Sequence, residues 1–303
     1  MVDTMKTLGI EENFLGIEDE FSGYEHSKIV VIPAPYEHTV SYGGGTKNGP
    51  SAILYASHYV EFFDEETGRE VHKEHGIATL IPLTFDEDSD ELSLEKIYRT
   101  FTSVLKSGKF PVLLGGEHTI SQASIAACAE KYKYLSVLHI DAHSDLRMEY
   151  LGSKYSHASV MARVCEFIDG NRLVQVGIRA QCIEESEYIK ENGITTLYAH
   201  EIRAGKYNGI LKTWQDYAID RLSEFVYVTF DVDGFDPSIM PSTGTPEPNG
   251  LLWHESMLLL KKLGASRKVV GCDIVELAPI SGIHHADMTA AKLASKMINY
   301  FVR

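Results

Sequence analysis

The sequence predicts an α/β protein, a three-layer αβα sandwich on a mostly parallel sheet. Three observations predict it. Short apolar runs rich in β-branched and aromatic residues alternate with longer amphipathic stretches, and the alternation never pauses over the 303 residues. The runs are apolar nearly throughout, as strands buried on both faces must be. Three of them end abruptly in carboxylates and histidines, at the edge where a parallel sheet places its ligand crevice.

The strands are expected at Lys28–Pro33, Phe110–Leu114, Leu135–Ile140, Arg172–Ile178, Ile194–Tyr198, Phe225–Phe230 and Lys268–Val275. Ser93 is expected to cap a helix with Ile97, Phe101, Val104 and Leu105 on one face, which Gly108 ends. Further helices are predicted at Thr119–Tyr132, His157–Ile168, Gly209–Leu222, His254–Leu263 and Asp287–Phe301. No Pro/Ser-rich linker or repeat divides the chain, so one domain over 1–303 is expected, with 1–27 an N-terminal extension packed on it. Acids are scattered through Met1–Tyr24, so it does not read as a signal peptide. No run of about 18 apolar residues occurs, so no membrane span is expected.

Acidic residues outnumber basic ones 43 to 28, a net charge of −15. Such a chain repels phosphate backbones, which argues against nucleic acid, and attracts small cations. Cys128, Cys165, Cys182 and Cys272 are far apart, with no CxxC pair to hold zinc or do redox work. They read as buried free thiols in a reducing compartment, the cytoplasm.

The chemistry sits at three strand ends. Gly115-Gly116-Glu117-His118 follows the second strand, Asp141-Ala142-His143-Ser144-Asp145 the third, and Asp231-Val232-Asp233-Gly234 the sixth. In extended chain, residues i, i+2 and i+4 share a face, so Asp141, His143 and Asp145 are expected to project together, and Asp231 with Asp233. With His118, that makes four carboxylates and two imidazoles at one place. Four bare carboxylates cannot share a dry pocket, and two divalent cations would neutralise them. Carboxylate with imidazole and no thiolate favours hard or borderline ions such as manganese. His139, inside a strand, reads as a core or supporting residue.

These motifs resemble those of the ureohydrolases, the arginase/agmatinase family. Thr243-Gly244-Thr245-Pro246, Asp273-Ile274-Val275-Glu276-Leu277-Ala278-Pro279 and Ser41–Pro50, a loop leading into a first helix, strengthen the likeness, which runs from about residue 28 to 300. The resemblance implies an arginase-like fold, a homo-oligomer (trimer or hexamer) and two Mn²⁺ per chain. His118 and Asp145 would hold one ion and His143 and Asp233 the other, with Asp141 and Asp231 shared. It also implies Asp145 and His157 as proton carriers, Glu276 facing the guanidinium in a fork, and Thr245 and His157 touching the substrate. Arg147 stands where arginases usually carry Asn, and Ala180, Gln181 and Cys182 supply no aspartate for an α-ammonium. The stretch Asp145–His157 is similar to agmatinases, which implies agmatine as substrate and putrescine and urea as products. Guanidinobutyrate, guanidinopropionate, arginine and formiminoglutamate remain open as alternatives, Arg147 favouring an acid, as does a non-catalytic relative. Asn249 stands where many members carry Gly, and His284 and His285 read as an ordinary loop pair.

Overall fold

In the computed structural model, which describes residues 5–85, 89–210 and 212–303, eight strands form one sheet. They are β1 (Ile29–Ala34), β2 (Ile77–Thr79), β3 (Phe110–Gly115), β4 (Ser136–Ile140), β5 (Leu173–Ile178), β6 (Thr195–Tyr198), β7 (Phe225–Asp231) and β8 (Lys268–Val275). Their order is β2-β1-β3-β8-β7-β4-β5-β6, and every pairing is parallel. Seven of these are the expected runs. The eighth, β2, is a three-residue edge strand, too short to stand out as an apolar run.

Alternation along the strands feeds two cores. Leu138 and Ile140 of β4 and Val226, Val228 and Phe230 of β7 enter one, while Val137 and Tyr227 enter the other. Helices Gly49–Ser57, Trp214–Ile219, Trp253–Ser266 and His284–Phe301 cover the first face. Asp90–Lys106, Ser121–Lys131, Val160–Val164 and Ile183–Glu191 cover the second, giving the three layers.

Helix bounds differ from the sequence reading for local reasons. Ser89, not Ser93, caps Asp90–Lys106 by accepting from the Leu92 amide; Ser93 lies inside the helix, buried, with its hydroxyl unpartnered among the described residues. Gly108 does end this helix, at φ +73°. The 209–222 stretch is helical only over Trp214–Ile219, because Thr213 and Asp216 form a capping box and start it late; Leu211 lies outside the described residues. His157–Ser159 is a 3₁₀ turn leading into Val160–Val164. The unforeseen helix Ile183–Glu191 carries four glutamates in nine residues and buries only Glu185 and Ile189.

Of the N-terminal stretch, Phe14, Leu15 and Ile17 enter the first core, and the Leu8 amide donates to Thr79 O at 2.8 Å; Met1–Thr4 lie outside the described residues. Lys296 of the last helix is buried with Asp64 at 2.7 Å and also meets Glu65 and Glu66, which straps the 64–66 loop to that helix. All four thiols are free, but only Cys128 and Cys272 are buried; Cys165 and Cys182 are half-buried near helix ends. No described helix is long and apolar enough to cross a membrane.

The two ends of the sheet differ in charge. Helices here run back against the strands, so their carboxyl ends gather at the amino edge of the sheet, where cations suit the exposed carbonyls. Lys131 donates to Leu105 O at 2.5 Å, Arg267 to Ile219 O and Leu222 O at 3.0 Å, and Arg303 to Gly264 O. With Lys28, Lys109 and Lys268 they line a broad concavity containing one acid, Glu224.

Candidate active site

Four central neighbours, β3-β8-β7-β4, carry the polar motifs at their carboxyl ends, so side chains from four chain segments meet within a few strand spacings. Register aligns them: Leu114 pairs with Ile274, Val275 with Asp231, and Phe230 with Ile140. Gly116 makes the first turn possible, because a Cβ there would lie 1.9 Å from Tyr36 O.

Convergence does not come from extended alternation. Asp231 ends β7, and its Oδ1 accepts the Asp233 amide at 2.8 Å across a 3₁₀ turn. After β4 the chain leaves the sheet, and Asp145 adopts φ +54°. That left-handed backbone is held by the Met161 amide on Asp145 O (2.9 Å) and by the Leu146 amide on Glu185 Oε1 (2.9 Å). Glu276 is also left-handed, at φ +65°, with its amide on Gly116 O at 2.8 Å. Strain at non-glycine residues persists where surrounding structure enforces it, and it gathers at functional sites.

Two imidazole–carboxylate groups share one residue. His118 Nδ1 lies 3.1 Å from Asp141 Oδ2, 3.2 Å from Asp145 Oδ2 and 3.3 Å from Asp231 Oδ2. His143 Nδ1 lies 3.0 Å from Asp233 Oδ2 and 3.5 Å from Asp141 Oδ1. The two oxygens of Asp141, wholly buried, thus face opposite groups. Asp231 is joined only to the His118 side, its other oxygen being taken by the Asp233 amide.

Residues behind this cluster set its protonation. Asp273 accepts from the Thr229 hydroxyl at 2.7 Å, so Thr229 accepts from His118 Nε2–H at 2.9 Å. That tautomer leaves the His118 Nδ1 lone pair aimed among three carboxylates; the atom is buried and has no hydrogen-bond partner among the described residues. His139 Nε2 meets Asp141 Oδ2 at 2.7 Å, and Gln175 Nε2 donates to His139 Nδ1 at 3.1 Å.

The charge balance is that of a site short of cations. Burial pushes Asp231 and Asp233 above the usual carboxylate range, and neighbouring carboxylates add to it. Burial would lower His118 and His143, but the surrounding carboxylates outweigh it: His118 is held well above its ordinary value and His143 is raised to about 12. Carboxylates, imidazoles, no thiolate and an orphaned ring nitrogen fit a pair of hard or borderline metal ions.

Above this floor opens a cleft lined by His118, His143, Asp145, Asp231, Asp233, His157, Thr245 and Glu276, together with Thr39, Ser41 and Glu117. Glu276 Oε1 accepts the His118 amide at 2.6 Å, so the expected fork has one arm already engaged and Oε2 left over. Burial, then Glu117, pushes its carboxyl well up. The cleft continues into an outer chamber shared through Ser41, His143, Asp145, His157 and Thr245, and lined beyond by Arg147, Tyr150, Ala180, Gln181, Glu185 and Glu247. Arg147 does not hang free: its Nε lies 3.9 Å from Glu185 Oε2, and its guanidinium sits 5.1 Å from the Tyr150 ring. Asn249 adopts φ +68°, which Asn tolerates better than most residues. His284 and His285 are exposed at the start of the last helix and line neither chamber.

The sequence reading gave no role to Thr229, Asp273, Gln175, Glu117 or Thr39. Each is a polar residue in or beside a core strand or loop, and its partner comes from a distant segment.

Residues 27–299 match the sequence profile of the Arginase family. An N(1)-aminopropylagmatine ureohydrolase of Synechocystis is 36% identical over 289 residues, covering 93% of this chain and 92% of that one. An agmatinase of Bacillus anthracis is 34% identical over 285 residues, 92% of this chain and 94% of its own. The agmatine ureohydrolase structure of Thermoplasma volcanium superposes with a TM-score of 0.83 at 30% identity, covering 99% of this chain and 95% of that one. Profile, relatives and fold agree, and with a cleft of this chemistry at its sheet edge the chain belongs to the arginase family as a ureohydrolase of the agmatinase type.

Proposed function

We propose that the protein hydrolyses agmatine to putrescine and urea with two manganese ions. His118 and Asp145 would hold one ion and His143 and Asp233 the other, with Asp141 and Asp231 shared. The observation that carries this reading is the split of Asp141 between two imidazole–carboxylate groups beneath a cleft that also holds Glu276 and His157. When bound, the ions would supply Lewis acidity that makes water a usable nucleophile near neutral pH.

The protein's own groups do the rest. Glu276 Oε2 receives N–H groups of the guanidinium, whose planar donors suit a carboxylate, and Thr245 closes over the same end. Water adds to the central carbon and gives up a proton, which Asp145 takes and returns to the departing nitrogen. The carbon–nitrogen bond to the alkyl chain breaks, and guanidinium plus water become urea plus an alkylammonium, with charge conserved. His157 exchanges protons at the mouth of the cleft.

Substrate choice follows from the outer chamber. Arginine would bring a carboxylate beside Asp145 and Glu247, whereas agmatine, which carries the same ammonium without that carboxylate, leaves the ammonium near water at the acidic mouth. A second reading, N(1)-aminopropylagmatine, is favoured by the extent of that chamber and by Glu247, whose carboxylate has no ion pair or hydrogen bond with any described residue; Arg147 is already offset by Glu185. A further ammonium three carbons along would suit it.

Urea release with added manganese, measured on agmatine, N(1)-aminopropylagmatine, arginine and guanidinobutyrate, tests both. Agmatine or its aminopropyl derivative should exceed arginine by about 10³-fold, the scale of an unpaired desolvated charge. Guanidinobutyrate winning, with its advantage lost in Arg147→Ala, would overturn the amine reading. We further infer a cytoplasmic trimer or hexamer, for light scattering and cell fractionation to check.

A further inference from the structure

Glu117 belongs to no cation group, yet it is 2% exposed and its carboxylate is fully engaged. Its Oε2 accepts the His38 and Thr39 amides, both at 2.7 Å. Its Oε1 accepts the Thr119 hydroxyl at 2.7 Å and the Thr39 hydroxyl at 2.8 Å. Thr39 Oγ1 also lies 3.1 Å from the His157 amide and 3.0 Å from His157 Nδ1.

The proton count on Thr39 decides the direction of each bond. A hydroxyl has one proton and two lone pairs. A carboxylate only accepts, so the Thr39 proton goes to Glu117. Both lone pairs then face His157, one taking the amide and the other Nδ1. Nδ1 must therefore carry hydrogen, and neutral His157 is the Nδ1–H tautomer. Its Nε2 lone pair is left in the cleft, with Ser41 Oγ at 3.4 Å. The Tyr150 ring stands edge-on to the imidazole at 5.9 Å and limits its rotation.

We propose that Thr39, anchored by Glu117, is a positioning residue that fixes the tautomer and the plane of His157. The inference rests on His157 acting as a proton carrier in the proposed hydrolysis. Every proton it handles then enters and leaves at Nε2: the lone pair takes the second proton, released as the urea carbonyl forms, to give the imidazolium, and passes it to the amine that Asp145 has already protonated once. Nδ1–H stays on Thr39 throughout. The two anchoring groups come from neighbouring strands. Glu117 follows β3, while His38 and Thr39 follow β1, so the loop that roofs the cleft is tied to the strand that supplies His118.

The test uses the manganese-loaded enzyme and urea release from agmatine. Thr39→Val keeps the shape and removes the hydroxyl. The expected result is unchanged metal content, kcat lower by roughly 10- to 100-fold, a fraction of what general acid–base catalysis supplies, and KM within about threefold. Thr39→Ser should restore most of kcat. In a His157→Ala background, Thr39→Val should cost almost nothing more, the non-additivity of a coupled pair. Equal losses in the Ser and Val variants, full additivity with His157→Ala, or a loss confined to KM would each overturn the relay. Loss of activity in His157→Ala and wild type alike on every guanidino compound would instead sink the hydrolase reading on which it rests.

Discussion

At the scale of single residues, the shared position of Asp141 has a direct consequence. Asp141→Ala should lose both metal ions, whereas His118→Ala should weaken mainly one, as metal analysis of the purified variants will tell; a full pair on the Asp141 variant would remove its sharing role. Glu276→Gln preserves shape but not charge. It should keep its metal and lose about 10²-fold or more in kcat/KM, the scale of about 3 kcal/mol of differential stabilisation. The groups these variants touch were legible in the sequence because each stands just beyond an apolar run, where a buried strand meets its ligand crevice. The groups that orient them were not. Thr229 hides as one polar residue in Phe-Val-Tyr-Val-Thr-Phe, and its value to His118 depends on Asp273 from the next strand. Thr39 and Glu117 are likewise separated by 78 positions. Sequence spacing suggested extended alternation for Asp141, His143 and Asp145, but left-handed backbone at Asp145 and the Asp231 turn do that work.

Among the elements, strands were readable and helix ends were not, because burial on both faces writes a strong signal while a cap is one hydroxyl among several. Ser89 and Ser93 test this. Ser89→Ala should cost about 1 kcal/mol of stability by chemical denaturation, the worth of an N-cap. Ser93→Ala should cost less or stabilise, since it removes a buried unpartnered hydroxyl. The strap of Lys296 on Asp64 has a pH signature. Burial would raise the Asp64 carboxyl, but the Lys296 and Thr67 contacts outweigh it and hold it below the usual range. A depressed folded-state value means that its stabilisation is complete above the ordinary carboxylate range, about pH 4, and drains as pH falls through the folded value. Melting temperatures of the metal-free protein should therefore drop on acidification below about pH 4, and Asp64→Asn should flatten that slope. An identical slope in the variant would remove the strap from the account.

Over the whole molecule, the alternation of runs was enough to read three layers and the site edge, while the order of the eight strands was not readable, since nothing local tells β8 to insert between β3 and β7. That insertion places Glu276 over His118. The same architecture sorts charge. Basic side chains serving helix carboxyl ends crowd the amino edge of the sheet, and the carboxylate-lined cleft opens at the other, in a chain of net charge −15. With these bases gathered at the amino edge, the excess of acids falls on the rest of the surface, Glu247 of the outer chamber among them, and the entrance opens on that side. A cationic substrate of the kind proposed above would feel a torque as well as an attraction, and its encounters would turn toward the productive face before contact. Added salt shortens the reach of that field to about 8 Å at 0.15 M ionic strength. Raising ionic strength should then lower kcat/KM for a dicationic guanidino amine while leaving kcat unchanged, and a kcat/KM indifferent to salt would show that encounters are not steered.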